Sequence, residues 1–177
     1  MKKLLLIVNL IGIVTFANAA TPINQGASFD IGFSPNQGSL PLVIKAINSA
    51  QKSIYVAAYS FTSKPVAEAL LAASKRGVDV KVIADEKSNS GKYSATTYLA
   101  NNNVPVKLDG NYPIFHHKFM VIDGVNLETG SFNYSAAAAS KNAENVLVLW
   151  NVPAIAATYE NQWNNLWNEA QPLKVNY

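Results

Sequence analysis

A continuous apolar run, Ile54–Tyr59, and a strand rich in β-branched residues, Val78–Ala84, bracket a segment, Lys64–Arg76, in which Val66, Leu70 and Ala73 recur at helical spacing. A strand that is apolar at every position must be covered on both faces. The alternation continues on either side. Ala27–Phe33 reads as a short first strand. Ser39-Leu40-Pro41 is a helix start, an N-cap followed by proline in the first turn, and Leu40, Val43, Ile44 and Ile47 then fall on one helix face. Gly77 supplies a C-terminal stop. A further helix is expected over Tyr93–Asn101 and a strand over Val104–Leu108. Lys118–Ile122 and Val125–Ser131 flank Asp123-Gly124, a hairpin signal. Asn145–Trp150 is another strand, and Ala154–Trp167 closes the chain as a helix. Helices alternating with buried strands predict an α/β layered sandwich whose mixed, mainly parallel sheet is flanked by helices.

The N-terminus reads differently. Lys2 and Lys3 precede an apolar stretch, Leu4–Phe16, and Ala17-Asn18-Ala19 has the small-x-small pattern of a cleavage site. Together these predict a secretory signal peptide over residues 1–19 and one mature domain over 20–177, exported to a bacterial periplasm or the medium. An uncleaved anchor is the weaker reading, and no later stretch is suited to stable membrane insertion. Without Lys2 and Lys3 the formal charge falls from +3 to +1, because 12 basic residues then face 11 acidic ones. Affinity for phosphate must therefore come from local clustering and not from net charge. The chain has no cysteine, which excludes disulfides, thiolate metal sites and a cysteine nucleophile.

Both histidines are adjacent, at 116 and 117, and they open the run that leads into the hairpin. Residues two apart on a strand share a face. His116 and Lys118 therefore point one way, and His117, Phe119 and Val121 point the other. If Asp123-Gly124 is a two-residue turn, Ile122 opposes Val125, Lys118 meets Thr129 and His116 meets Ser131. One face then gathers an imidazole, an ammonium, the Ser131 hydroxyl and the Asn133 carboxamide. That set suits a phosphate, with charge from Lys118 and directed hydrogen bonds from Ser131 and Asn133. Covalent phosphoryl transfer also needs an acid for the leaving group, and His117 faces away.

The run resembles the signature of the phospholipase D superfamily, His-x-Lys-x4-Asp-x6-Gly-Ser-x-Asn. It matches at His116, Lys118, Asp123, Gly130, Ser131 and Asn133 with every spacing kept. The resemblance extends over about Ser39 to Trp150. Family members usually carry two copies of the signature, and this chain, with two histidines, has room for one. It is most similar to the short, single-signature branch of secreted bacterial endonucleases. The resemblance implies a phospholipase D-like fold and a homodimer that joins two His116 residues in one site. One His116 would attack phosphorus, while the other serves as general acid and then general base. Lys118, Ser131 and Asn133 would hold the phosphate oxygens. It further implies hydrolysis of DNA, single- or double-stranded, with RNA as a second nucleic-acid substrate. Hydrolysis of phospholipid head groups is the alternative activity within the family.

In the family an acidic residue beyond the Gly-Ser pair bonds the second nitrogen of the catalytic imidazole. Glu144 fits that place, with Glu128 as the alternative and a solvated strand end as the bland reading. Asp123 is expected to be structural, its side chain capping the turn backbone. Tyr159, Trp163 and Trp167 form a stripe that suits core packing or a dimer face better than base stacking. Lys75, Arg76, Lys81, Lys87 and Lys92 could line a nucleic-acid groove or simply be solvated. Arg76 is the only arginine, which argues against bidentate reading of guanine and for cleavage without sequence preference. The sequence lacks a His-Glu-x-x-His motif and a carboxylate cluster, so no metal and no cofactor are expected.

Overall fold

The computed structural model describes residues 22–91 and 94–173. The expected signal peptide, Lys92 and Tyr93 lie outside the described residues. In chain order the elements are β1 (Ser28–Ser34), α1 (Ser39–Ser49), β2 (Ser53–Ala58), α2 (Lys64–Lys75), β3 (Asp79–Asp85), α3 (Glu86–Asn89) and α4 (Ala95–Asn101). There follow β4 (Val106–Asp109), β5 (Lys118–Ile122), β6 (Asn126–Gly130), α5 (Ala136–Ser140), β7 (Glu144–Trp150), α6 (Pro153–Glu169) and β8 (Gln171–Pro172).

The strands form one mixed sheet in the order β1-β7-β6-β5-β2-β3-β4-β8. The layered α/β sandwich is as the sequence predicts, but the expected dominance of parallel pairing is not. Only β2–β3 and β3–β4 run parallel; the other five pairings are antiparallel. The βα alternation fixes the direction of β2, β3 and β4. The hairpin and the return through α5 then lay β5, β6, β7 and β1 down antiparallel beside β2.

Two apolar layers sandwich the sheet. The larger packs Val43 and Ile47 of α1, Val66 and Leu70 of α2 and Leu99 of α4 on Ile54, Val56, Met120, Ile122, Val146 and Val148. The smaller packs Trp163 and Leu166 of α6 on Phe119, Val121, Leu127 and Ile83. All five residues of β5 are buried because its alternate side chains enter both layers. The aromatic stripe of α6 is core. Trp163 is buried, donates Nε1–H to Val56 O at 2.9 Å, and stacks between Tyr55 (4.7 Å) and Trp167 (5.0 Å). At the start of α1 the cap is Gly38 in a left-handed conformation and not Ser39, whose hydroxyl instead bonds the buried Ser34 hydroxyl.

The β5–β6 hairpin departs from the expected register by one residue. Asp123 and Gly124 both have positive φ, 56° and 68°, and Val125 N–H closes the turn on Ile122 O. The ladder nevertheless pairs Ile122 with Asn126 and Phe119 with Thr129, leaving Val125 as an extra residue. Contacts distant in sequence hold this bulge. Val125 O accepts from Val152 N–H at 2.7 Å. The Asp123 carboxylate does not cap its own turn. It accepts from the backbone N–H groups of Gln51, Lys52 and Ser53, at 2.7 Å from Lys52. Asp123 thus clamps the α1–β2 loop to the hairpin tip.

Candidate active site

Four strand ends meet at one end of the sheet. They are the exit of β2, the entry of β5, the exit of β6 and the entry of β7. The pairing of Ala58 with Lys118 brings the residue after β2, Tyr59, beside the residues before β5. His116 is exposed, its ring 4.6 Å from that of Tyr59. Lys118 is buried along its stem and places Nζ 3.3 Å from His116 Nε2, 3.1 Å from His116 O and 5.3 Å from the Tyr59 ring centre. Burial pulls the Lys118 ammonium below its ordinary range, with the charge of Glu144 acting in the opposite sense. An ammonium can only donate. In this arrangement His116 Nε2 is therefore the unprotonated nitrogen, a lone pair held at the surface.

Tyr59 carried no functional signal in the sequence, where it is 57 residues from His116. Only the β2–β5 adjacency makes them neighbours. Its loop is pinned by the fully buried Asn89, which donates to Tyr59 O (2.6 Å) and Asp85 O (2.8 Å) and accepts from Phe61 N–H (2.9 Å).

Ser131 follows Gly130 at the exit of β6. A Cβ on Gly130 would overlap the carbonyl oxygen of Asn145 and lie 3.0 Å from its carbonyl carbon. The same carbonyl accepts from Ser131 N–H (3.2 Å) and Phe132 N–H (3.3 Å). The glycine of the signature is thus needed for close approach of two backbones. The Ser131 hydroxyl donates to Glu144 Oε2 at 2.6 Å and accepts from Asn145 N–H at 3.0 Å. Asn145 is a contributor that the sequence reading missed, because its role lies in its backbone. Asn133 is half-buried, and its Oδ1 has no hydrogen-bond partner among the described residues. Its neighbour Tyr134 is buried and anchors the loop. Tyr134 O accepts from Thr62 N–H (2.9 Å) and Ser63 N–H (2.8 Å), and its hydroxyl donates to Glu128 Oε2 (2.6 Å).

The site is thus two clusters on adjoining strand ends, His116–Lys118–Tyr59 and Ser131–Glu144–Asn145, coupled by the charge of Glu144 on Lys118. Among the described residues, the expected bond from Glu144 to the imidazole of its own chain is not formed. Its oxygens take Ser131 and Asn142 instead, because β6–β7 pairing delivers Ser131 to it first. The alternative, Glu128, is fully buried on the larger-core side, where desolvation raises its carboxyl to about 8. His117 is exposed on the smaller-core side, edge-on to Phe115 (5.2 Å) and Phe119 (5.6 Å), and partial desolvation there, with the Lys118 charge, lowers its pKa. Among the described residues no three His, Asp or Glu side chains gather closely enough to hold a metal ion. No helix among them is long and apolar enough to cross a membrane.

Residues 43–167 match the family described as "Cardiolipin synthase, PLD-like domain". The chain belongs to the phospholipase D superfamily. Within that superfamily it is 35% identical over 131 residues to a phospholipase D of Rickettsia bellii, covering 74% of this chain and 65% of that one. It is 34% identical to a mitochondrial cardiolipin hydrolase of Xenopus laevis, covering 72% of this chain and 60% of the relative. Among solved structures it superposes on Nuc of Salmonella typhimurium, a phospholipase D family member, with a TM-score of 0.80 and 44% identity. That match covers 82% of this chain and 97% of Nuc. NucT of Helicobacter pylori gives a TM-score of 0.76 at 27% identity, covering 82% of this chain and 99% of NucT.

Proposed function

We propose that the chain is a phosphodiester hydrolase that cleaves DNA, and secondarily RNA, without sequence preference and without a metal, working as a homodimer through a phosphohistidine on His116. One observation carries this reading: His116 is exposed and its Nε2 lies 3.3 Å from Lys118 Nζ. The chain's other histidine is turned onto the opposite face. His116 Nε2 attacks phosphorus as the bond to the leaving oxygen breaks. That oxygen takes a proton from His116 of the partner subunit. The partner's imidazole, now neutral, removes a proton from water; the water oxygen bonds phosphorus, the P–N bond breaks and His116 is regenerated. Lys118, Ser131 and Asn133 hold the non-bridging oxygens. Glu144 keeps Ser131 oriented and tempers the burial of Lys118. The charge that a metal would neutralise is met by Lys118 and the imidazolium.

The choice of nucleic acid over lipid is favoured by the likeness to Nuc, at 44% identity and a TM-score of 0.80; the chain spans 65% and 60% of the phospholipase and cardiolipin hydrolase relatives. Hydrolysis of phospholipid head groups is the second reading, favoured by the names of those relatives. Export to a bacterial periplasm rests on residues 1–19. The test is nicking of supercoiled plasmid in excess EDTA beside a matched His116→Ala preparation. Cleavage by wild type alone is the expected result. No cleavage of DNA or RNA, with headgroup release from phosphatidylcholine or cardiolipin vesicles, would move the substrate to lipid.

A further inference from the structure

Parallel pairing makes β2 and β3 exit at the same end of the sheet, the end that carries His116. The helices that follow, α2 directly and α4 after the short α3, begin at that end too. Both pack into the larger core, through Val66, Leu70 and Leu99. Lys118 alternates with Met120 and Ile122, which belong to the same core. The candidate site and the two helix starts therefore share one side of the sheet. Between the helix starts lies a cavity of about 240 Å³, whose lining includes Thr62, Lys64, Ala67, Glu68, Ala95 and Tyr98.

Segment 61–63 is the wall that this cavity shares with the site. On one side Thr62 N–H and Ser63 N–H donate to Tyr134 O, and Phe61 is bridged to Tyr134, the residue after Asn133. On the other side Phe61 O accepts from Ala95 N–H at 3.2 Å, in the first turn of α4. Bridged residues sit one strand spacing apart, about 4.8 Å. A strand whose phosphate rests on Asn133 thus reaches the cavity with its neighbouring nucleotide.

The lining decides what fits. Ala67 and Ala95 are buried and give a small apolar floor, while Tyr98 stays 41% exposed and leaves ring surface for a flat partner. Lys64 and Glu68 lie 3.6 Å apart and are both largely exposed, a weak pair that leaves a donor and an acceptor open to a ligand. A phosphate is repelled by Glu68 and a quaternary ammonium by Lys64, and an acyl chain gains nothing from either. A nucleobase carries donors and acceptors on its edge and a π-face for stacking. The volume is below the roughly 300 Å³ at which sites for drug-sized ligands begin, so it takes one ring system.

We infer that this cavity receives a base next to the scissile phosphate, stacked on Tyr98 with its edge toward Lys64 and Glu68. The inference rests on the nucleic-acid reading above and adds a base-binding subsite. Stacking tolerates any sequence, because every base has a π-face. In a duplex the base must first be flipped out, so single strands are the better substrate.

The test is cleavage kinetics of full-length wild type, Tyr98→Phe, Tyr98→Leu and Tyr98→Ala on a short single-stranded DNA in which every linkage but one is a methylphosphonate. The same DNA is also made abasic on either side of the cleavable bond. The expected result is a KM about 10-fold higher for Tyr98→Ala and Tyr98→Leu, a loss in KM and not in kcat, with Tyr98→Phe keeping the wild-type value. One of the two abasic strands should cost wild type the same factor and cost Tyr98→Ala nothing further, since the stack is already gone. Equal KM for wild type and Tyr98→Ala, or losses that multiply with the abasic change, would overturn the subsite and leave the nuclease reading standing. A duplex of the same sequence bound as tightly as the single strand would do the same. A wild type that cleaves no nucleic acid would overturn both. Tyr98→Leu keeps the helix and the apolar bulk, so a loss shared with Tyr98→Ala is read as loss of the ring, with circular dichroism verifying the fold.

Discussion

Glu128 sits wholly inside the protein two residues before Gly130, and its one hydrogen bond is from Tyr134, with Met120 and Val148 flanking it on the neighbouring strands. Desolvation raises its carboxyl from 4.5 to about 8. The folded chain therefore holds this proton more tightly than the unfolded one, and stability must fall as pH rises between those two values. Each pH unit in that window is worth about 1.4 kcal/mol. The loss is about 2–3 kcal/mol between pH 5 and pH 7, and it levels off above pH 8 at about 5 kcal/mol. Glu128→Gln keeps the shape and an acceptor for Tyr134 but cannot ionise. Tyr134 is itself pushed well above its ordinary range, so it does not titrate in the same window. Urea unfolding followed by tryptophan fluorescence, at unit steps from pH 5 to pH 9, should show the two proteins diverging, with the variant the more stable at neutral pH. Parallel stability curves would refute the assignment of a neutral buried carboxyl. The consequence for the site is direct, because β6 and Tyr134 bracket the loop that carries Ser131 and Asn133.

Asp123→Ala removes the acceptor of three backbone N–H groups and should cost about 2 kcal/mol, since water replaces part of what is lost at this surface loop. The melting temperature should fall by about 4–8 °C. Asp123→Asn, which keeps an oxygen and tolerates positive φ, should lose about half as much; equal losses would argue against the clamp. Gly130→Ala forces β6 and β7 apart at Asn145 and should lower stability by about 2–4 kcal/mol. Cleavage should fall at least ~10-fold through displacement of Ser131, and a fully active, stable variant would contradict the close approach. The rate of cleavage should be bell-shaped in pH, because one imidazole must begin neutral and its twin charged; a flat profile across the histidine range would count against two-imidazole chemistry.

Local patterns carried much of this structure. The periodicities of Leu40–Ile47 and Lys64–Arg76 gave α1 and α2, and strand alternation separated the faces of His116 and His117. What required three dimensions was everything set by strand order. Nothing in a βα pattern says that β5 will lie beside β2, so neither Tyr59 as a neighbour of His116 nor the predominance of antiparallel pairing was legible. The hairpin register slipped for a related reason. An Asp-Gly turn by itself favours a two-residue loop, but Asp123 is drawn to residues 51–53 and Val125 to Val152, and these distant bonds insert the extra residue. Glu144 was expected to bond the imidazole, but the β6–β7 ladder delivers Ser131 to it instead.

The same geometry constrains how one His116 differs from its twin. With Lys118 Nζ 3.3 Å from Nε2, a proton on Nε2 would set two donors against each other. A single chain is thereby held in the nucleophile's state, with the proton of the neutral ring on Nδ1. The acid's state requires the Lys118 ammonium to give up its approach to Nε2 while keeping the contacts it already makes with His116 O at 3.1 Å and the Tyr59 ring. Nitrogen-15 spectra of the neutral His116 ring should therefore show Nδ1 protonated and Nε2 bare, and Lys118→Ala should shift population toward the Nε2–H tautomer. A wild-type ring that is mainly Nε2–H would refute the claim that Lys118 poises the nucleophile and leave it only the task of binding phosphate.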